Sequence, residues 1–151
     1  MKTLIYILPT NFEHEGIKIK VQGQVNYFKQ QHNVKLHHLT IRKKSFLVEK
    51  IGHMIYFDLK AIYLLLFNKH FFIRYNPKSL LLNIIIYLLS PFKKITLEHN
   101  LIMETELKAL NRPIELLSHK LTYFLFKKTN IQHLCVNNEL LNNLKNKKFK
   151  N

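Results

Sequence analysis

The sequence predicts an α/β domain: a Rossmann-like, three-layer arrangement in which a mostly parallel sheet of about five strands carries helices on both faces. Three observations predict it. Short apolar runs alternate with longer segments whose apolar residues recur every three or four positions. The first of those runs is continuous rather than alternating, as in a strand buried on both sides. Asn, Pro or Gly stands at most changes of period. Hydrophobic residues make up 47% of the 151 positions, enough for one core and too many for a disordered tail.

The elements follow in order. Thr3 to Leu8 reads as a first strand that ends at Pro9, and Thr10 to Gly16 as a polar loop. Ile17, Val21, Val25 and Phe28 are four, four and three apart, so they share one face of a helix that Asn33 ends. Val34 to Ile41 is the second strand. Ser45 is placed to cap the next helix and Gly52 to break it, with Met54 to Phe67 continuing as an apolar helical segment. His70 to Tyr75 is the third strand, stopped by Asn76-Pro77, and Pro77 suits the first turn of a helix reaching about Ser90. Lys94 to Leu97 is the fourth strand and opens into Glu98-His99-Asn100. Leu107, Leu110, Ile114, Leu117, Leu121 and Leu125 mark one helical stripe, with a break or fresh start at Pro113. Ile131 to Val136 is the fifth strand, and Asn137-Asn138 caps a last helix through Leu144. Residues 1–151 read as one domain with no internal repeat.

Charge and composition bound the function. Lys and Arg number 24 against 9 Asp and Glu, a net charge of +15. That excess suggests a polyanionic neighbour, although a Lys-, Asn- and Ile-rich composition of the kind AT-rich genomes give also produces it. No helix-turn-helix, RNA-recognition or finger pattern occurs, so no nucleic acid is expected. The single cysteine, Cys135, excludes an intrachain disulfide and fits a reducing compartment, and it reads as a core residue. The longest apolar stretch, Leu80 to Leu89, is about half of the ~20 residues that a membrane span needs. The expectation is a cytoplasmic protein, soluble or peripheral at the inner face of the membrane. Arg42-Lys43-Lys44, with Lys50 and Lys60, interleaves with Phe46, Tyr56, Phe57 and Tyr63. Exposed aromatics would make this a surface for anionic lipid, and buried ones would make it an ordinary amphipathic helix.

In an open parallel sheet, ligands bind beyond the carboxyl ends of the strands. That rule selects Thr10 to Gly16, Arg74-Tyr75-Asn76, Glu98-His99-Asn100 and Asn137-Asn138. His99 beside Glu98 offers acid–base chemistry or a grip on sugar hydroxyls, against a helix-cap and loop role. Arg74 is placed to pair with Glu98 or to bind a phosphate. Gly16 opens a helix, where the backbone favours anions. Glu104 and Glu106 are two apart and do not share a helix face, which favours a solvated helix start. Of His37 and His38, adjacent in a strand, only one can face a site. No His, Cys and Asp cluster has metal-ligand spacing, so no metal is expected. Neither a phosphate-cradling Gly-rich loop nor a nucleophile elbow is present.

Five pieces of the chain, in order, resemble the family 4 glycosyltransferases of the GT-B fold. They are Leu4-Ile5-Tyr6-Ile7; Gly16-Ile17 with Gln22, Val25 and Phe28; Phe72-Ile73-Arg74-Tyr75-Asn76; Thr96-Leu97-Glu98-His99-Asn100 with Glu104 and Glu106; and Leu134-Cys135-Val136-Asn137-Asn138-Glu139-Leu140. Two departures stand out: Glu15-Gly16 supplies one glycine where the family has two or more, and Asn137 stands in place of a common serine. The resemblance implies the amino-terminal, acceptor-binding half of such an enzyme, serving cell-surface polysaccharide or glycan synthesis, with the carboxy-terminal donor-binding domain absent and little activity alone. It implies His99 at the reaction centre, Arg74, Glu98, Asn100 and Asn137 on the acceptor side, and Gly16 toward the donor phosphates. No cofactor is implied, and a nucleotide sugar would be a co-substrate only with a second domain, in cis or in trans. The implied partners are that domain and a sugar or lipid-linked acceptor; the basic run Arg42-Lys43-Lys44 with Lys50 and Lys60 adds an anionic membrane surface as a further expected partner. The rival expectations are a non-enzymatic module that binds an acidic membrane or a protein partner, and a subunit completed in trans.

Overall fold

The computed structural model describes residues 2–12, 15–41, 46–100, 103–147 and 149. Ser45 and the run Arg42-Lys43-Lys44 lie outside the described residues. The elements run β1 (Lys2–Asn11), α1 (Glu15–Lys29), β2 (His32–Leu39), α2 (Leu47–Phe67), β3 (His70–Arg74), α3 (Leu80–Leu89), β4 (Lys94–His99), α4 (Met103–Ala109), α5 (Pro113–Phe126), β5 (Gln132–Cys135) and α6 (Asn138–Asn146). The five strands form one sheet in the order β2-β1-β3-β4-β5, and every pairing is parallel. The domain is therefore a Rossmann-like α/β fold.

Alternation along the strands divides the apolar residues between two cores. Ile5 and Ile7 of β1, Phe71 and Ile73 of β3, and Ile95 and Leu97 of β4 face the larger core. There they meet Phe57, Ala61 and Leu65 of α2, Leu82 and Ile86 of α3, and Tyr123 and Phe126 of α5. Tyr6 and Leu8 of β1 and Phe72 of β3 face the other way, onto Val21 of α1 with Ile17, Val25 and Phe28 around it. That is the stripe whose spacing marks α1 in the sequence. Phe72 is the hinge of this second core, with its ring 5.0 Å from Tyr6 and 4.9 Å from Phe28.

Several boundaries differ from the sequence-based expectation. Pro9 does not end β1: the strand runs on to Asn11 through a register shift between Leu8 and Asn11. A bulge is where a strand can take a proline, which has no N–H to donate. Asn33 belongs to β2, because α1 already ends at Lys29. Gly52 does not break α2, since the helix continues through it with open space where a side chain would stand. Phe46 N–H donates to Glu49 Oε2 at 3.2 Å and closes the first turn of α2. Pro77 precedes the helix instead of starting it: Asn76 Oδ1 accepts from Lys78 N–H at 3.0 Å, and the turn delays α3 to Leu80.

The single stripe from Leu107 to Leu125 is divided. Asn111, with φ of 50°, turns the chain between α4 and α5, and Pro113 begins α5. Leu107 is buried and Leu125 packs against the larger core, whereas Leu110, Ile114, Leu117 and Leu121 are exposed. The residues that α5 buries are His119, Thr122, Tyr123 and Phe126.

Candidate functional site

The strand order places the connections from β1 and β3 on opposite sides of their shared boundary, and such a boundary leaves a crevice at the carboxyl ends of the strands. A cleft of about 480 Å³ occupies that position. Its floor is Pro9 and Thr10 from the end of β1 and Arg74, Tyr75 and Asn76 from the end of β3. Asn76 is fixed in the floor by donating from Nδ2 to the Pro9 carbonyl, and its own carbonyl accepts from Asn83 Nδ2 at 3.0 Å.

The walls are mixed. Ile17, Leu39, Ile41, Met54, Phe57, Leu107 and Leu110 supply apolar surface. Arg74, Lys78 and Arg112 supply cations, and Asp58, Glu106 and Glu115 supply carboxylates. On the rim Glu115 lies 3.4 Å from Arg112 Nη1 and 3.8 Å from Lys78 Nζ. Burial raises the carboxyl of Asp58 above its ordinary value, and a hydrogen bond with the Ser79 hydroxyl opposes the rise.

Beneath the floor lies a buried charge network. Glu98 of β4 is 1% exposed and points to the α1 side of the sheet. Its Oε1 lies 3.0 Å from Lys20 Nζ and accepts from Gln24 Nε2 at 2.8 Å. Gln24 in turn accepts from the Tyr6 hydroxyl at 2.7 Å. Arg74 Nε stands 3.9 Å from Glu98 Oε2, so Arg74 does pair with Glu98, but at ion-pair rather than hydrogen-bond distance. Arg74 Nη1 and Glu98 Oε2 make no hydrogen bond among the described residues. Arg74 lines the cleft, but its unsatisfied Nη1 is buried beneath the floor rather than open to it.

The six candidate residues do not converge. Arg74 and Asn100 line the cleft, and Asn100 Oδ1 accepts from Lys20 Nζ. Glu98 supports Arg74 from behind. His99, next in the strand, points to the opposite side of the sheet and is 1% exposed. There its Nε2 meets His133 Nδ1 at 2.9 Å and its ring lies 5.3 Å from that of Tyr75. Asn137 caps α6 by accepting from Leu140 N–H at 2.8 Å. Gly16 is exposed at the second position of α1, beside Ile17 of the cleft wall.

Other candidates also separate. Glu104 binds Lys147 at 2.8 Å and Lys108 at 3.1 Å, and those hydrogen bonds hold its carboxyl down to about 2, while Glu106 lines the cleft. His37 contacts the Phe57 carbonyl at 3.1 Å, and His38 stacks on Phe12. Cys135 is half-buried against the larger core, and burial raises its thiol. Among the described residues no group of His, Cys, Asp or Glu is arranged to hold a metal ion.

Sequence reasoning missed Asp58, Ser79, Lys78, Arg112 and Glu115, which come from helices or turns rather than strand ends. Asp58 did leave a signal: it is the one aspartate of the chain and it interrupts an apolar helical run.

No family model matches the chain, and no curated protein matches it. Its fold is similar to that of a conserved protein from Enterococcus faecalis V583, with a TM-score of 0.50 and 14% identity over 97% of this chain and 99% of that one. At that identity the likeness concerns the fold.

Proposed function

We propose that this domain is the acceptor-binding half of a sugar transferase, and that its cleft takes the sugar end of a lipid-linked acceptor. One observation carries the reading. The cleft at the carboxyl ends of β1 and β3 is edged by Arg74, Lys78 and Arg112, and of these cations Lys78 and Arg112 are exposed at the rim, where a phosphate or hydroxyl oxygen can accept from them. Asn76, Asn100 and Ser79 add neutral donors and acceptors around it, and Met54, Phe57 and Leu107 add apolar contact. Asp58, with its raised carboxyl, is the group suited to take the acceptor hydroxyl's proton as that oxygen attacks a donor sugar. His99 is not assigned that role, because its ring is turned into the core. The donor nucleotide and its leaving phosphate would be held by a second domain, in cis or in trans, since transfer needs that phosphate stabilised beside the acceptor.

Titration calorimetry tests this. A short-chain polyprenyl-phosphate sugar is expected to bind saturably, while UDP- and GDP-sugars give no micromolar binding. The Arg112→Gln variant removes an exposed rim cation and is expected to bind the glycolipid about tenfold more weakly, roughly 1.4 kcal/mol. Micromolar binding of a nucleotide sugar by the chain alone would overturn the assignment.

A further inference from the structure

Helices that cover a sheet turn charged residues outward and apolar ones inward. Three helices here break that rule on one side of the sheet. Along α2, Val48, Ile51, Ile55, Leu59, Tyr63 and Leu66 are each at least half exposed and share its outer side. α5 is inverted: Ile114, Leu117, Leu121 and Phe124 face out at three- and four-residue spacing, while His119 and Thr122 face in. Between them α3 packs on both helices and exposes Leu81 and Leu88, with Phe92 just beyond its end. The three outer faces form a contiguous apolar surface far beyond the scattered apolar residues of an ordinary exterior.

Its margin is basic. Lys60 reaches over the Tyr56 ring and Lys128 over the Phe124 ring, with their amino groups 6.0 Å and 4.9 Å from the ring centres. Lys69 and Lys120 are exposed on the same elements or their ends. The acidic residues of these helices are engaged elsewhere: Asp58 and Glu115 line the cleft, and Glu49 binds the Phe46 N–H. An apolar field with cations and aromatics at its edge matches a bilayer whose acyl region lies inside a fringe of anionic headgroups. No helix among the described residues is long and apolar enough to cross a membrane, which leaves an in-plane position.

We propose that the outer faces of α2, α3 and α5 seat this protein on an anionic lipid bilayer, with the apolar side chains in the interface and the lysines at the headgroups. Met54 and Phe57 of α2 face the other way, toward the cleft and the core, so the docking face and the cleft use different sides of the same helix. The docking surface does not depend on sugar transfer: a protein that docks and transfers nothing would still carry it.

The chain contains no tryptophan, so a single one reports cleanly. The Leu59→Trp variant would be mixed with vesicles of phosphatidylglycerol and phosphatidylcholine, and with vesicles of phosphatidylcholine alone. Its emission is expected to shift to the blue on the anionic vesicles, to be quenched by lipids brominated on the acyl chain, and to bind them at least tenfold more tightly than neutral ones. The Leu134→Trp variant, on the α1 side of the sheet, is expected to stay unshifted. Leu59→Asp with Leu117→Asp is expected to lower vesicle binding at least tenfold while the melting temperature holds. Equal affinity for both vesicles, an unshifted Leu59→Trp signal, or equal shifts at both positions would overturn the proposal. So would a stable dimer by light scattering that Leu59→Asp splits, because the face would then be covered by a second copy.

Discussion

Replacing Glu98 with alanine is expected to cost about 3–5 kcal/mol of folding stability, the usual result of removing one partner from a buried ion pair. Glu98 is 1% exposed and neutralises Arg74 and Lys20 beneath the cleft floor. Lys20 is on the edge of α1 and can turn to water, but Arg74, with a side chain 12% exposed, cannot. Gln24 would also lose its acceptor and, with it, the orientation that serves the Tyr6 hydroxyl. The double variant Glu98→Leu with Arg74→Met removes both charges and is expected to recover most of the loss, since apolar replacement of a whole buried pair is often neutral or stabilising. Urea unfolding of wild type, Glu98→Leu, Arg74→Met and the double variant closes the cycle. A Glu98→Ala variant within 0.5 kcal/mol of wild type, a loss typical of neutral surface sites, would mean that Arg74 is not held by this carboxylate.

Acid is expected to unfold the domain well before its carboxylates are fully protonated. Burial pushes His99 down to about 3, and His119 and His133 to about 4, from the ordinary 6.5. His119 Nδ1 lies 2.9 Å from the Tyr75 hydroxyl and His99 Nε2 lies 2.9 Å from His133 Nδ1, and with these lowered values all three rings are neutral in the native core at pH 7. Because the folded values lie below the unfolded one, the unfolded chain takes up the protons first as pH falls. The stability these rings contribute is therefore complete above about pH 6.5 and is lost progressively down to about pH 4 for His119 and His133 and about pH 3 for His99. Each ring tilts stability by up to about 1.4 kcal/mol per pH unit, and three by up to about 4. Against a total of about 5–15 kcal/mol, that slope carries unfolding into the window between about pH 5 and 4. Circular dichroism against pH measures the midpoint. His119→Gln keeps a polar partner for the Tyr75 hydroxyl but does not titrate, and should reduce the slope by about a third. A native signal unchanged from pH 6.5 to 4 would contradict the buried, neutral cluster.

The fold was legible because periodicity is a local property. The spacing of Ile17, Val21, Val25 and Phe28 marks a helix face, and runs such as Phe71 to Ile73 mark buried strands, before any contact is known. The rule for parallel sheets also located the cleft, with Thr10, Arg74 and Asn100 on its walls. What could not be read is the direction of each side chain. Glu98 and His99 are adjacent in the sequence, yet strand alternation sends one beneath the cleft and the other into the core. The same limit hid the inversion of α5: Ile114, Leu117 and Leu121 read as a core stripe because periodicity marks an apolar face without saying what it faces. Asp58, Arg112 and Glu115 come to the cleft from separate helices and a turn, and only tertiary packing brings them together.

The most direct test of the cleft as an acceptor site is amide chemical-shift mapping of the labelled protein titrated with a water-soluble, short-chain polyprenyl-phosphate sugar. Saturable shifts are predicted at Thr10, Arg74, Asn76, Lys78, Leu107 and Arg112, with Leu134 and Val136 on β5 and beyond it unmoved. Saturable shifts at β5 without any at Arg74 and Asn76, or none at all at millimolar ligand, would contradict it.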